Sequence, residues 1–143
     1  MLFSSARRRR DLITYCNEAA GILAILDNID GGRSGLNKIM VNSTLMYLVS
    51  DVPFLSKSFR PIRPAIYENS NIFFQGKESS AGQNLYLYSH LYHSLIWYLL
   101  AIKSLAQEFV SEDHRDISDT IDRDIFYLRE FIAKIWKEES SGG

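Results

Sequence analysis

His90 and His93, three residues apart, are the first pair here whose type and spacing could carry chemistry. On a helix that spacing puts both imidazoles on nearly one face. An acid from a second element would then complete a metal site or an acid–base pair. The Glu-x-x-His pattern by which helices hold two metal ions is absent. No metal ligand set and no cofactor is therefore assigned, and one histidine is expected in solvent with the other hydrogen-bonded inside the protein. His114 sits in Glu112-Asp113-His114-Arg115-Asp116, which reads as a solvated, charged helix start. Asp116, Asp119, Asp122 and Asp124 lack the alternation and the turning glycine of a calcium loop. Gly31-Gly32-Arg33-Ser34-Gly35 precedes a helix, but it follows no strand and has no Gly-Lys-Ser/Thr ending. No nucleophile motif is present, so no residue is assigned to catalysis. Cys16 is the one cysteine, which excludes an internal disulfide, and its helical spacing makes it a core residue.

Two other groups could bind rather than react. Arg7, Arg8, Arg9 and Arg10 stand in an unbroken run, and Arg60 and Arg63 follow the second helix. If the two regions adjoin, they make a basic surface for phosphates, with Tyr67, Phe73 and Phe74 as stacking groups for unpaired bases. The second group is aromatic: Tyr86 and Trp97 flank the two histidines, and Tyr67, Phe73 and Phe74 lie in the segment before them. Aromatic residues dominate binding hot spots.

The elements that must position these groups are helical. Residues 84–110 contain no Gly or Pro and place Leu87, Leu91, Leu95, Tyr98, Ile102, Leu105, Ala106 and Phe109 on one stripe. The opposite stripe carries Tyr86, Ser89, His90, His93, Trp97 and Leu100. A helix apolar on both sides packs against more than one neighbour or lends its back to a partner. Residues 79–102 contain no Asp, Glu, Lys or Arg, a length that could span a bilayer. The histidines, serines and scattered tyrosines argue against a membrane span.

Leu12, Ile13, Cys16, Ala19, Ala20, Leu23 and Leu26 predict a first helix from about Ser5 or Asp11 to Ile29, with either residue able to cap it. Asp11 is the better cap, because four arginines at a helix start oppose the dipole. Residues 1–10 are then a basic N-terminal arm. A second helix is predicted over 34–51, with Pro53 ending it or opening a fresh turn through Phe54 to Lys57. A fourth follows from Ile117, Ile121, Ile125, Leu128, Ile132 and Ile135, starting within 111–116 and ending at 138, with 139–143 as a flexible tail. Residues 59–82 hold two prolines and two glycines and form an irregular insert. Within it, 65–67 and 72–74 flank a polar four-residue turn, a pattern that fits a short β-hairpin. Asn42-Ser43-Thr44 matches a glycosylation acceptor but lies on a helix face.

The expected fold class is all-α: a single domain over 1–143, an antiparallel four-helix bundle with the insert between its second and third helices. The composition, 46% hydrophobic and 23% charged, supports a folded chain with a substantial core. Net charge is −1, with nine basic against five acidic residues in 1–63 and seven against twelve in 64–143. Side-by-side packing of the two ends would pair these charges. The functional expectation is a non-enzymatic, cytoplasmic interaction or regulatory module that binds a protein partner or itself, as a homodimer, through Tyr67, Phe73, Phe74, Tyr86, His90, His93 and Trp97. The alternatives are a nucleic-acid-binding or RNA-processing bundle using Arg7, Arg8, Arg9, Arg10, Arg60 and Arg63, and a ligand or metal bundle centred on His90 and His93.

Overall fold

Apolar positions repeating every three to four residues fold as α-helices in the computed structural model, which describes residues 2–29, 35–62 and 81–142. The chain is all-α, with no strand among the described residues. The helices are α1 (Leu2–Ile29), α2 (Gly35–Asp51), α3 (Pro53–Ser58), α4 (Ala81–Ala106) and α5 (Ile117–Gly142); a 3₁₀ turn, Glu112–His114, precedes α5. The proposed hairpin over 65–67 and 72–74 lies outside the described residues.

α1 begins earlier than the dipole argument predicts. Arg7, Arg8, Arg9 and Arg10 belong to the helix and are not an arm before it. The dipole effect fades within the first turn, and a start at Leu2 puts the arginines beyond that turn. Tertiary contacts also hold them. Arg8 pairs with Glu108 at 2.8 Å, and the Arg9 guanidinium lies 5.4 Å and 5.9 Å from the ring centres of Phe54 and Phe109.

Pro53 opens a fresh turn. It forces Val52 into an extended conformation (φ −114°, ψ 105°) and takes the first position of α3, where its missing N–H costs nothing. At the same end of the molecule α4 stops at Ala106, short of the expected 110. Ser111 is extended (φ −69°, ψ 166°), and this delays α5 to Ile117. With no proline to stop it, α5 runs through Gly142, past the expected end at 138.

The four long helices close a ring: α1 packs on α4, α4 on α5, α5 on α2 and α2 on α1. Contacts near helix ends fix their directions. Lys38 at the start of α2 pairs with Asp27 at the end of α1, at 2.7 Å. Arg8 near the start of α1 meets Glu108 just beyond α4. Lys103 late in α4 meets Asp122 early in α5, at 2.7 Å. Adjacent helices are thus antiparallel, and α2 and α4 run the same way. One connection must therefore carry the chain back along the helix axis. Between the helices lies one apolar cluster that includes Leu12, Cys16, Leu45, Leu95, Leu99 and Ile121, all fully buried. Each such side chain contributes about 1.5–3 kcal/mol by leaving water.

The first part of that returning connection is strapped to α1. The Asn17 side-chain amide donates to the Ser58 carbonyl at 3.2 Å and accepts from the Arg60 N–H at 2.8 Å. The Ile62 N–H donates to the Asn17 carbonyl at 3.1 Å. One turn further along α1, Gly21 leaves the room this requires: a Cβ there would stand 1.7 Å from the Ile62 carbonyl oxygen. This glycine is used for space, inside a regular helix.

Candidate functional site

The solvent face of α4 is the most distinctive surface. Tyr86, His90, His93 and Trp97 follow at spacings of four, three and four, so they line one side of the helix. Tyr86 is 71% and Trp97 72% exposed. Leu91, Leu95 and Leu99 anchor the opposite side in the core, and Leu100 is half-buried against it. The Tyr86 ring meets Trp136 of α5 edge-on at 5.7 Å. The face carries no formal charge, because the sequence places none within 79–102. The structure thus brings four of the seven expected partner-binding residues together; Tyr67, Phe73 and Phe74 lie outside the described residues.

The expectation that one histidine turns inward is corrected. Both His90 and His93 are exposed, because the core side of this helix is filled by Tyr88, Leu91, Tyr92 and Leu95. Among the described residues no group of three or more His, Cys, Asp or Glu is placed to hold a metal ion.

The arginine-bearing end is only partly brought together. Arg9 over Phe54 shows that the start of α1 adjoins α3, as the basic-surface argument requires. Arg7, Arg9, Arg10, Lys57 and Arg60 are exposed. Among the described residues Arg7, Arg10, Lys57 and Arg60 make no ion pair, whereas Arg8 is taken by Glu108. The aromatic rings beside Arg9 are Phe54 and Phe109, already in edge-to-face contact at 5.1 Å. Arg63 lies outside the described residues.

A polar cluster that sequence reasoning missed joins the end of α2 to the α4–α5 turn. The Asp51 carboxylate accepts from the Ser111 N–H at 2.8 Å and from the Ser111 hydroxyl at 2.9 Å. It also lies 2.6 Å from His114 Nδ1. The three residue types are those of a hydrolase triad, but the geometry is not. A relay needs the acid on one imidazole nitrogen and the hydroxyl on the other. Here Ser111 Oγ approaches the same Nδ1, at 2.9 Å. The cluster is a clip, closed on its outer side by Tyr47, whose ring meets His114 edge-on at 4.3 Å. Burial alone would raise the Asp51 pKa, but the two Ser111 bonds and His114 hold it below the ordinary aspartate value. The stability it contributes is present above that ordinary value and is lost as the pH falls through the native one. Asp51→Ala is expected to cost about 1–2 kcal/mol at neutral pH by removing the charged acceptor shared by Ser111 and His114. In urea titrations the gap from wild type should narrow below the carboxylate range. A gap that stays constant into acid would remove the clip. Its two sides are 60 residues apart, and no local pattern in the sequence joins them.

Two further expectations concern buried groups. Burial pushes the Cys16 thiol up to about 12, so it offers no thiolate at neutral pH and serves as core. Thr44 lies buried in α2 and is hydrogen-bonded to Asp124, so Asn42-Ser43-Thr44 is a helix face. Two shallow grooves, of about 550 Å³ between α2 and α5 and about 500 Å³ between α1 and α2, have no histidine or cysteine in their walls. No helix among the described residues is long and apolar enough to cross a membrane. No protein-family model, curated protein or solved structure matches this chain.

Proposed function

We propose that this chain is a small, non-enzymatic interaction module that self-associates as a homodimer through the exposed face of α4. In this reading it is a single cytoplasmic domain, an antiparallel four-helix bundle in which α3 and the segment after it form the crossover. The observation that carries the proposal is Trp97, with Tyr86: two large aromatic side chains, each more than 70% exposed on one helix face. Aromatic anchors of this kind supply most of the energy at protein interfaces. A second copy is the favoured occupant because the face is uncharged. In a two-fold interface the same patch faces its copy, so a face without fixed charge meets no like-charge repulsion across the axis. Residues 79–102 present no fixed charge. Sedimentation equilibrium across a wide concentration range tests this. The expected result is a mass that doubles from the 16.4 kDa chain. A chain that stays at single mass at the highest concentration reached ends the proposal.

A second reading rests on a different observation. Arg7, Arg10, Lys57 and Arg60 are exposed on adjoining elements and make no ion pair among the described residues. Such a surface suits a single-stranded nucleic-acid backbone. Each phosphate neutralised contributes roughly −0.7 to the slope of log affinity against log salt. Anisotropy with a mixed single-stranded RNA pool should then show binding that falls steeply with salt. It should also show a shallower slope for an Arg7→Ala, Arg10→Ala chain. Absence of binding at low salt removes this reading.

A further inference from the structure

Asp124 is the one acid in the described core, 0% exposed, in the seam where α5 packs on α2. Its neighbours offer a carboxylate little. Oδ2 is hydrogen-bonded to the Thr44 hydroxyl. Oδ1 lies 3.4 Å from Nη2 of Arg123, a long contact from a side chain that is itself 56% exposed. Charged groups on the packed elements have partners of their own, Asp51 of α2 among them. On α2, Lys38 is paired with Asp27 and Tyr47 lies against His114. On α4, Lys103 is paired with Asp122.

Counting protons narrows the arrangement. Thr44 Oγ1 lies within hydrogen-bond distance of two acceptors, Asp124 Oδ2 and the Met40 carbonyl at 3.1 Å. A hydroxyl has one proton and can donate to only one of them. If Asp124 is ionised, Thr44 must turn its proton away from Met40, and the buried charge then rests on that one neutral donor and the long contact from the half-exposed Arg123. If Asp124 carries a proton, both bonds form at once, Asp124 donating to Thr44 and Thr44 donating to the Met40 carbonyl. A buried charge is strongly disfavoured without full compensation.

We propose that Asp124 is held in the fold as the neutral acid at neutral pH, donating to Thr44, so that the α2–α5 seam is a proton-dependent latch that loosens when this proton leaves. Burial raises its pKa, and the Thr44 and Arg123 contacts offset that only in part. For an acid raised in this way, the contribution of the neutral form is complete below the unfolded value. It declines as pH rises, until the native carboxyl has ionised.

Carbon-13 NMR of the wild-type chain labelled at aspartate gives the direct test. One side-chain carboxyl resonance should remain at its protonated position at neutral pH, after the other aspartates have titrated. It should be missing from Asp124→Asn, whose amide can donate to Thr44 as the acid does. The urea midpoint of Asp124→Asn should exceed that of wild type by a margin that widens from the ordinary carboxylate range up to the native titration and is flat beyond. The proposal is overturned if every aspartate carboxyl of the wild-type chain is ionised at neutral pH, a result that does not depend on the variant folding.

Discussion

Gly21→Ala is expected to destabilise the protein by about 1–2 kcal/mol net, although the same change inside most helices is favourable. The usual gain is up to about 1 kcal/mol, because alanine loses less conformational entropy than glycine on entering a helix. Here the new methyl would stand 1.7 Å from the Ile62 carbonyl oxygen and 2.7 Å from its carbon. Those atoms are backbone and cannot rotate aside as a side-chain tip can. They are held from behind by the bond between the Ile62 N–H and the Asn17 carbonyl. Either α1 shifts, which overpacking data put at about 1–3 kcal/mol, or the strap lifts. Lifting leaves the buried Asn17 amide without Ser58 and Arg60, a loss of about 1–3 kcal/mol. Both outcomes exceed the helix gain. Urea denaturation measures the sign directly, and an alanine chain as stable as wild type would show that 59–62 is not held against Gly21. Combining Gly21→Ala with Asn17→Ala should cost less than the sum of the two, because both act on the same strap.

The second large effect is on association. Trp97→Glu should weaken the proposed dimer by roughly a thousandfold while leaving the melting temperature of the chain nearly unchanged. A central aromatic anchor is worth at least about 2 kcal/mol. A two-fold interface contains the side chain twice, and about 4 kcal/mol is close to three decades in affinity. The fold should not notice, because 72% of Trp97 is outside it. Sedimentation at high concentration, and a thermal melt at a concentration where both chains are monomeric, separate the two consequences. A dimer that persists unchanged would move the interface elsewhere. Early melting of Trp97→Glu would mean that the indole supports the core.

Much of this architecture was legible from periodicity. Leu91 and Leu95 in α4, and Ile117, Ile121, Ile125 and Leu128 in α5, mark the buried faces. Because the spacing of Tyr86, His90, His93 and Trp97 is equally regular, the exposed aromatic face was legible as well. That phase also placed both histidines outward; the expectation that one turns inward failed because Tyr88 and Tyr92 take the inner positions and bury more apolar surface. The strap, the clip and the Thr44–Asp124 bond escaped for another reason. Each joins residues 41 to 80 positions apart, and neither partner carries a local signature. Asp124 did leave a trace. It follows Ile117 by seven and Ile121 by three and precedes Leu128 by four, so it lies on the buried stripe; an acid in that phase is a buried polar group to be explained. The arginines of α1 were misplaced because the dipole argument was applied to a helix start nine residues too late.

The order in which the helices pack has a consequence for assembly during synthesis. α1 packs most extensively not on its sequence neighbour α2 but on α4. A growing chain can form the α1–α2 hairpin early. The flank of α1 that carries Tyr15 must then wait for Tyr98, 83 residues later, to meet it at 6.0 Å. Contacts this distant in sequence slow folding, because chain entropy is lost before they form. Until α4 has been made, Leu12 and Cys16 belong to a half-built core with apolar surface in water. The ring of four helices therefore closes late, only once α5, which follows α4 in the chain, has seated against α4 and α2.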